Sequence, residues 1–174
     1  MTQSVEVLLP RLDRLGEAAK RDKSLQFNNL FHHITLTSLH KAFNHLNKQA
    51  AKGVDNIGWF EYQQHVKTSL VALHHKLQIG CYKAKPVKRM WIPKADGTQR
   101  PIGVTSIEDK IVQQAVVWLL EPIYESDFLG FSYGFRPKRN QHQALDAVYM
   151  AATTKKVSWI LDADLKGFFD TINH

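Results

Sequence analysis

The sequence predicts an α+β fold in which helices predominate. Apolar residues recur at helical spacing on both sides of a central stretch, residues 86–93, which is extended in character and is followed by an Asp96-Gly97 turn. Residues 157–164 are rich in β-branched and aromatic side chains and predict a late strand. The chain has 174 residues, 44% of them hydrophobic and 22% charged, so it is long and apolar enough to bury a core.

Two amphipathic helices are predicted before residue 80, preceded by a weaker helix and a linker within the first thirty residues. The first begins near Thr35 or Thr37, either of which can cap it, and Gly53 suits its end. The second ends at Gly80, where a left-handed residue is useful. Their apolar stripes are Leu36, Leu39, Phe43, Leu46 and Ala50 in the first helix, and Trp59, Tyr62, Val66, Leu70, Leu73 and Leu77 in the second.

The central stretch predicts a β-hairpin, and two further helices follow it. A strand, the Asp96-Gly97 turn and a returning strand make up the hairpin. A third helix is predicted over residues 107–120 and ends before Pro122, because proline cannot donate a helical hydrogen bond. A fourth helix begins at Asn140, with Gln143 three residues further on as in a capping box.

Composition favours a polyanionic partner. Lys and Arg outnumber Asp and Glu by 23 to 16, which gives a formal charge of +7 and points towards nucleic acid. The single cysteine, Cys81, cannot form an internal disulfide, and the amino terminus lacks the pattern of a secretion signal, so a cytoplasmic location is expected. No membrane partner is expected, because no apolar stretch approaches the ~20 residues that a span needs.

Three carboxylates, Asp162, Asp164 and Asp170, stand close together near the end of the sequence. If residues 157–164 form a strand, alternation places Asp162 and Asp164 on the same side. There they could hold a hard divalent cation such as magnesium (Mg2+) for phosphoryl transfer. Because the D-x-D spacing is common, a structural role for these acids is the alternative.

Two cations, Lys94 and Arg100, flank the predicted hairpin turn. A guanidinium forks onto phosphate oxygens and an ammonium acts as a point charge, so the pair suits a triphosphate. A two-residue turn would place the two side chains on opposite faces unless a bulge intervenes. A solvated hairpin tip is the alternative interpretation.

Two further basic clusters predict contact with nucleic acid. The first, with Tyr82 and Trp91 nearby, can pair with phosphates and stack a base. The clusters comprise Lys83, Lys85, Lys88 and Arg89 in the first, and Arg136, Lys138 and Arg139 in the second. Each could be a solvated surface, but from Lys83 to Arg100 there are six cations and one acid, Asp96, which favours the nucleic-acid interpretation.

Segments in a fixed order along the chain resemble the reverse transcriptase family, specifically the group II intron maturases. The most extensive is WIPKADGTQRPIG at residues 91–103, which is similar to the fingers motif of that family. The others are GVD at 53–55, DKIVQ at 109–113, LEPIYE at 120–125, SYGFRP at 132–137, and DLKGFFD at 164–170, which resembles the first catalytic motif of the palm. Asn56, Thr105 and Lys110 stand where the family usually has glycine, proline and arginine.

The resemblance implies a helical amino-terminal extension over residues 1–80, fingers over 81–155, and the start of an incomplete palm with its first strand over 156–174. It implies that Asp164 is catalytic and binds magnesium, and that the Leu165 backbone carbonyl contacts the metal and the nucleotide. Phe169 would lie below the incoming sugar, where an aromatic ring excludes a 2′-hydroxyl. Lys94 and Arg100 would hold the triphosphate, in a cleft that they share with Asp164. The expected structural acids are Asp162 and Asp170.

The function implied by the resemblance is RNA-directed DNA polymerisation with an associated maturase role in RNA splicing. The expected partners are an RNA template, intron RNA, a DNA primer, a deoxynucleoside triphosphate and the remainder of the polymerase chain. That remainder would carry the family's paired aspartates, so the isolated chain is expected to be inactive. The alternatives are a retron or diversity-generating reverse transcriptase within the same class, and a non-catalytic RNA-binding module or degenerate maturase remnant outside it.

Overall fold

The computed structural model describes residues 8–165 and 167–173, and for residues 8–11, 169 and 170 it describes the backbone alone. The chain divides into two compact units, an amino-terminal unit up to Asp127 and a carboxyl-terminal unit from Phe128 onwards. The predicted boundaries at residues 80 and 155 concern functional domains and stay a prediction.

Helices and one hairpin make up the amino-terminal unit, so the predicted α+β class is confirmed. Its elements are α1 (Leu8–Arg21), a 3-10 turn (Phe31–His33), α2 (Leu36–His45), α3 (Trp59–Gln64), α4 (Val66–Gln78), β1 (Lys88–Pro93), β2 (Gln99–Val104) and α5 (Ile107–Glu125). Among the described helices, none combines the length and apolar composition that crossing a membrane requires.

The core of this unit lies between α2, α3, α4 and α5. Phe43 stacks on Trp59 with ring centroids 4.8 Å apart, and the Trp59 indole N–H donates to the Phe43 carbonyl at 3.1 Å. The predicted apolar stripes supply most of the core. Its buried members are Ile34, Leu39, Ala42, Phe43, Trp59, Tyr62, Leu70, Leu73, Leu77, Ile107, Ile111, Ala115 and Leu119.

Helix α2 begins as predicted and ends earlier. The Thr35 hydroxyl accepts from the Ser38 N–H at 3.2 Å, and the Ser38 hydroxyl oxygen accepts from the Thr35 N–H at 2.8 Å, which completes a capping box. The helix ends at His45 instead of Gly53, because Leu46 is extended and the Asn47 side chain accepts from the Gln49 N–H at 2.9 Å. Such a local side-chain bond competes with helical hydrogen bonding.

The second predicted helix is interrupted at His65. There the chain leaves helical geometry, with the His65 N–H bonded to the Tyr62 carbonyl three residues back and the Thr68 hydroxyl donating to the His65 carbonyl. The predicted end at Gly80 is confirmed, since Gly80 has a φ of +68°.

Helix α5 continues through Pro122 to Glu125, so the prediction that it ends before Pro122 was wrong. A proline removes one helical hydrogen bond, and tertiary contacts offset that loss here. A Cβ atom on Gly16 would lie 3.1 Å from the Pro122 carbonyl oxygen, so α1 crosses α5 closely at this point. The Lys23 ammonium donates to the Ser126 carbonyl at 2.6 Å and to Asp127 at 2.8 Å, beside the end of the helix.

The carboxyl-terminal unit contains α6 (Gln141–Thr154) and α7 (Phe168–Thr171). The predicted capping box at Asn140 is confirmed, with the Gln143 N–H donating to the Asn140 side chain at 2.9 Å. The strand predicted over residues 157–164, expected as the first strand of the palm, is not formed. A strand is defined by its partner, and no described segment pairs with these residues.

Candidate functional site

The hairpin turn contains three residues, 95–97. The pairing of Pro93 with Gln99 continues as a Lys94 N–H to Thr98 carbonyl bond of 2.8 Å, and the Gly97 N–H donates to the Lys94 carbonyl at 3.1 Å. Gly97 has a φ of +80°, the left-handed conformation that such loops need. The Asp96 carboxylate accepts from the Thr98 hydroxyl at 2.6 Å and from its N–H at 2.9 Å, and these bonds lower the pKa of Asp96.

This turn places Lys94 and Arg100 on the same face of the hairpin. Ile92 pairs with Arg100, and Lys94 lies two residues after Ile92, so alternation directs all three side chains to one side. Diagonal neighbours of this kind are about 7–8 Å apart. The two-residue turn that would have separated them does not occur, and both side chains are exposed.

The two faces of the hairpin carry different residues. The first, called here the Lys94 face, carries Lys88, Met90, Ile92, Lys94, Thr98, Arg100, Ile102 and Val104. The second, called the Trp91 face, carries Arg89, Trp91, Pro93, Gln99, Pro101 and Gly103. The predicted basic run is therefore divided, with Lys88 on one face and Arg89 on the other.

The remaining lysines of this run, Lys83 and Lys85, precede the hairpin in the sequence. Lys83 is exposed. Lys85 pairs with Asp55 at 3.0 Å, and the hydrogen bond to Asp55 raises the pKa of Lys85. Its ammonium is therefore engaged within the protein. A nucleic-acid contact by these lysines stays a prediction.

Asp109 joins the base of the hairpin to α5, a role that its place in the sequence does not predict. The Asp109 side chain is buried and accepts from the Tyr82 hydroxyl, from the Ser106 hydroxyl at 2.7 Å and from the Lys85 N–H at 3.3 Å. Burial, and then the bond to Asp109, raises the pKa of Tyr82. The Ser-x-x-Asp spacing at the start of α5 is a recognisable capping signal, but its link to Tyr82 is a long-range contact.

The GVD segment packs against the start of α5. A Cβ atom on Gly53 would lie 2.7 Å from the Ser106 Cα and 2.8 Å from the Thr105 carbonyl oxygen, so only glycine fits without backbone movement. In the same segment, the Asp55 carboxylate pairs with the Lys85 ammonium. The Lys110 ammonium of α5 donates to the Ala51 carbonyl, which precedes the segment, at 2.6 Å. The segment therefore supports the same junction as Asp109.

Two of the predicted acids of the carboxyl-terminal unit, Asp162 and Asp164, are exposed. Asp162, Asp164 and Leu165 lie in irregular backbone, so the strand alternation that would align the two carboxylates does not apply. Within the described part of the chain, no three His, Cys, Asp or Glu side chains come together as a metal site. The side chains of Phe169 and Asp170 lie outside the described residues. Lys94 and Asp164 belong to different compact units, and their expected proximity stays a prediction.

The second basic cluster stabilises its own loop. Arg136 is buried and donates to the Leu129 and Ser132 carbonyls, each at 2.8 Å. Arg139 donates to the Gly130 carbonyl at 3.0 Å. Lys138 is part of the same loop and has a φ of +60°. The predicted nucleic-acid contact of this cluster stays a prediction, and both arginines have a local structural role.

Comparison with known proteins identifies the family. Residues 92–174 match the family described as Reverse transcriptase (RNA-dependent DNA polymerase). The chain is also 32% identical over 170 residues to the Group II intron-encoded protein LtrA of Lactococcus lactis subsp. cremoris, an alignment that covers 94% of this chain and 27% of that protein. The chain belongs to the reverse transcriptase family. The resemblance found in the sequence is thereby confirmed.

Two other relatives are similar to this reverse transcriptase chain over shorter stretches. It is 38% identical over 125 residues to Protein YkfC of Escherichia coli strain K12, covering 70% of this chain and 33% of that protein. It is 37% identical over 70 residues to Nuclear intron maturase 2, mitochondrial, of Arabidopsis thaliana, covering 37% of this chain and 10% of that protein. The chain thus spans about a third or less of the length of these relatives.

The family match begins within β1 of the reverse transcriptase chain, at Ile92. It includes Lys94, Arg100 and Asp109, whereas Tyr82 and Lys85 precede it. The hydrogen bonds to Asp109 therefore tie the matched segment to residues outside it.

Proposed function

We propose that this chain supplies the fingers and the first catalytic carboxylate of an RNA-directed DNA polymerase of the group II intron type. The observation that carries the proposal is the placement of Lys94 and Arg100 on one exposed face of the hairpin, across a three-residue turn. Family membership supports it as well.

The Lys94 face suits the triphosphate of a deoxynucleotide. Arg100 can place two parallel N–H donors on phosphate oxygens, and Lys94 adds a compact point charge. Neither strand of the hairpin contains an acid, and the Asp96 carboxylate at the turn accepts hydrogen bonds from Thr98. In the proposed reaction the primer 3′-hydroxyl attacks the α-phosphate and pyrophosphate leaves. The two cations stabilise the charge that develops on the departing phosphates.

Asp164 and Leu165 are the proposed metal-binding residues. The reverse transcriptase family uses a divalent metal, and we propose magnesium. The exposed Asp164 carboxylate and the Leu165 backbone carbonyl are oxygen donors, the ligand type that magnesium prefers, and two protein donors agree with its habit of retaining water and substrate phosphates. When bound, the ion supplies activation of the attacking hydroxyl and neutralisation of phosphate charge.

The other partners follow from the family and are proposals. We propose that Phe169 lies beneath the incoming sugar and selects deoxyribose by excluding a 2′-hydroxyl. The proposed nucleic acids are an RNA template, a DNA primer and an intron RNA whose splicing the protein assists, and a cytoplasmic location is proposed. Because the chain spans about a third or less of its relatives, the remainder of the polymerase is proposed as the source of the other carboxylates.

Primer extension on an RNA template tests the proposal. The purified chain is assayed alone and mixed with a separately expressed polypeptide that carries the remainder of the polymerase. We expect synthesis in the mixture only. Asp164→Asn should abolish it, whereas Asp162→Asn, a matched change two residues away, should retain it.

Two results would contradict the proposal. The first is full activity of the Asp164→Asn mixture. The second is a chain that supports no synthesis in any mixture yet binds RNA with a steep salt dependence, which would favour the RNA-binding module.

A further inference from the structure

We propose that Asp109 is a positioning residue that sets the direction in which the β1–β2 hairpin projects. In doing so it presents the triphosphate held by Lys94 and Arg100 for the proposed reaction. The inference rests on the proposed function for the identity of the ligand. It goes beyond that function because Asp109 lies outside the Lys94 face and acts through the hairpin that carries it.

The hairpin is exposed along almost its whole length. Every residue of β1 is exposed, and in β2 only Val104, the last residue, is partly buried. The ladder between the strands sets the placement of Lys94 relative to Arg100 without help from the rest of the protein. Because the strands are not buried against the core, the direction of the hairpin depends on the segments that connect it to the core.

Two short segments join the hairpin to the rest of the amino-terminal unit. Residues 82–87 form the segment before β1, and residues 105–106 form the segment after β2, which leads directly into α5. Tyr82 packs against the core of this unit, and Ser106 is fully buried. A group that bonds to both segments at once can therefore fix the angle at which the hairpin leaves the core.

The Asp109 carboxylate is such a group. Its Oδ2 atom accepts from the Lys85 N–H in the segment before β1 at 3.3 Å, and from the Ser106 hydroxyl in the segment after β2 at 2.7 Å. Its Oδ1 atom accepts from the Tyr82 hydroxyl. Asp109 is 3% exposed and lies in the first turn of α5, whose buried face forms part of the core. Hydrogen bonds are directional, so one side chain of the core orients both segments.

A salt bridge also reaches the segment before β1. The Lys85 ammonium lies 3.0 Å from the Asp55 carboxylate, but the Lys85 side chain is long and 42% exposed. A pair of this kind fixes geometry less firmly than buried hydrogen bonds to the backbone. We expect it to keep the junction together when the Asp109 bonds are weakened, so that Asp109→Asn folds with a poorly directed hairpin.

Distance measurements between two spin labels on the purified full chain test the direction of the hairpin. The labels are attached at Gln99→Cys in β2 and Ala72→Cys in α4, two exposed positions, in a Cys81→Ser background. The distribution of label distances should be narrow in this background and measurably broader when Asp109→Asn is added. Equal widths with and without Asp109→Asn would overturn the proposal.

Ile111→Val is the matched control. Ile111 is fully buried in the same helix as Asp109, and the change removes one carbon atom from the core but no hydrogen bond to either connecting segment. It should lower the stability of the chain and leave the distance distribution unchanged. Equal broadening by Ile111→Val would show a general loosening of the fold and would overturn the proposal.

Steady-state synthesis by the chain mixed with the remainder of the polymerase tests the positioning role. With an oligoriboadenylate template, an oligodeoxythymidine primer and deoxythymidine triphosphate, Asp109→Asn should raise the KM for the triphosphate roughly 5- to 100-fold and leave kcat within about twofold. Tyr82→Phe removes one of the three donors and should raise KM by a smaller factor. A fall in kcat with an unchanged KM would overturn the proposal.

Triphosphate binding by the chain alone separates this inference from the proposed function. Lys94→Ala and Arg100→Ala should weaken it, whereas Asp109→Asn should leave it unchanged because the ladder still sets the placement of the two cations. If Lys94→Ala and Arg100→Ala have no effect, the triphosphate role fails, and the distance measurements still decide whether Asp109 directs the hairpin. If synthesis proceeds with an unchanged KM in Asp109→Asn, the proposed function stands and the positioning role fails.

Discussion

Gly53 lies against Ser106 so closely that a Cβ atom on Gly53 would be 2.7 Å from the Ser106 Cα. The contact joins the loop before α3 to the residue that caps α5. At the same junction the Lys85 ammonium pairs with Asp55, and the Asp109 carboxylate accepts from the Lys85 N–H. The hairpin that carries Lys94 and Arg100 therefore starts from a base held by a close backbone contact and by hydrogen bonds to Asp55 and to the buried Asp109.

Gly53→Ala should destabilise the chain. The atoms that the new methyl group would meet are backbone, so the junction must open, and such overpacking costs about 1–3 kcal/mol. Urea unfolding measures the change in unfolding free energy. The control is Gly58→Ala, whose Cβ would meet the ends of the Glu61 and Lys52 side chains, which can move. Similar losses in the two variants would contradict a specific role for the Gly53 contact.

Asp109→Asn should loosen the base of the hairpin. The buried carboxylate accepts from three donors, and an amide can accept with only one oxygen, so at least one donor loses its acceptor at a cost of about 1–3 kcal/mol. Hydrogen exchange should show faster exchange of the Lys85 amide and of β1. The fully exposed Asp96 provides a control, Asp96→Asn, which should leave the exchange at Lys85 unchanged. Unaltered exchange in Asp109→Asn would contradict the anchoring role.

Alkaline pH should unfold the chain partly through Tyr82. Burial and the bond to Asp109 raise the pKa of Tyr82 above its ordinary value of 10.0, so the neutral phenol is favoured in the folded state. Its contribution to stability is fully present below pH 10 and is lost as pH rises from there through the folded pKa. The unfolding free energy of Tyr82→Phe, measured from pH 8 to 11, should be lower at pH 8 and should decline less steeply above pH 10.

Tyr149→Phe is the control for this pH series, because the Tyr149 side chain is 68% exposed. It should follow the pH dependence of the unmodified chain. Burial also raises the pKa of Tyr62, so a residual alkaline decline is expected in Tyr82→Phe. Parallel curves for Tyr82→Phe and the unmodified chain would show that the phenol does not contribute.

Gly97→Ala should disturb the turn that aligns Lys94 with Arg100. Its φ of +80° strains any residue with a Cβ, at a cost of about 1–2 kcal/mol. Exchange of the Lys94 amide should accelerate, and triphosphate affinity should fall. Gly130→Ala is the control, since a Cβ there meets nothing within 4 Å and its φ is not positive. If the Lys94 amide exchanges faster but the triphosphate affinity is retained, triphosphate binding does not depend on the geometry of the turn.

Local signals in the sequence predicted much of the fold. The cap at Thr35, which was one of two candidates, the Asn140 capping box, the Gly80 terminator and the hairpin all depend on neighbours within a few residues. The continuation of α5 through Pro122 could not be predicted from local signals, because the residues that contact this end of the helix, Gly16 and Lys23, lie more than a hundred positions away in the sequence. The expected strand at 157–164 failed for a related reason, since a strand needs a partner that its own composition does not supply.

Some features of the candidate site could also be predicted from the sequence, whereas others depend on the fold. Lys94 and Arg100 were found from their residue types, but their common face depends on the length of the turn, which Asp96 and Gly97 alone do not determine. The Asp109 hydrogen bonds join residues 24 and 27 positions apart, beyond the reach of pattern analysis. Lys85 shows the opposite case, a cation predicted for nucleic acid that the fold pairs with Asp55.

The hairpin has only two strands, so each described strand has one unpaired edge. Because Lys94 and Thr98 are hydrogen-bonded and such pairs alternate along an antiparallel ladder, the pairs that exchange no hydrogen bonds are Pro93–Gln99, Trp91–Pro101 and Arg89–Gly103. Both proline nitrogens then point outwards, where an N–H would otherwise invite another chain to add a strand. The two prolines therefore make it harder for another chain to pair with the exposed edges, and they remove no hydrogen bond between β1 and β2.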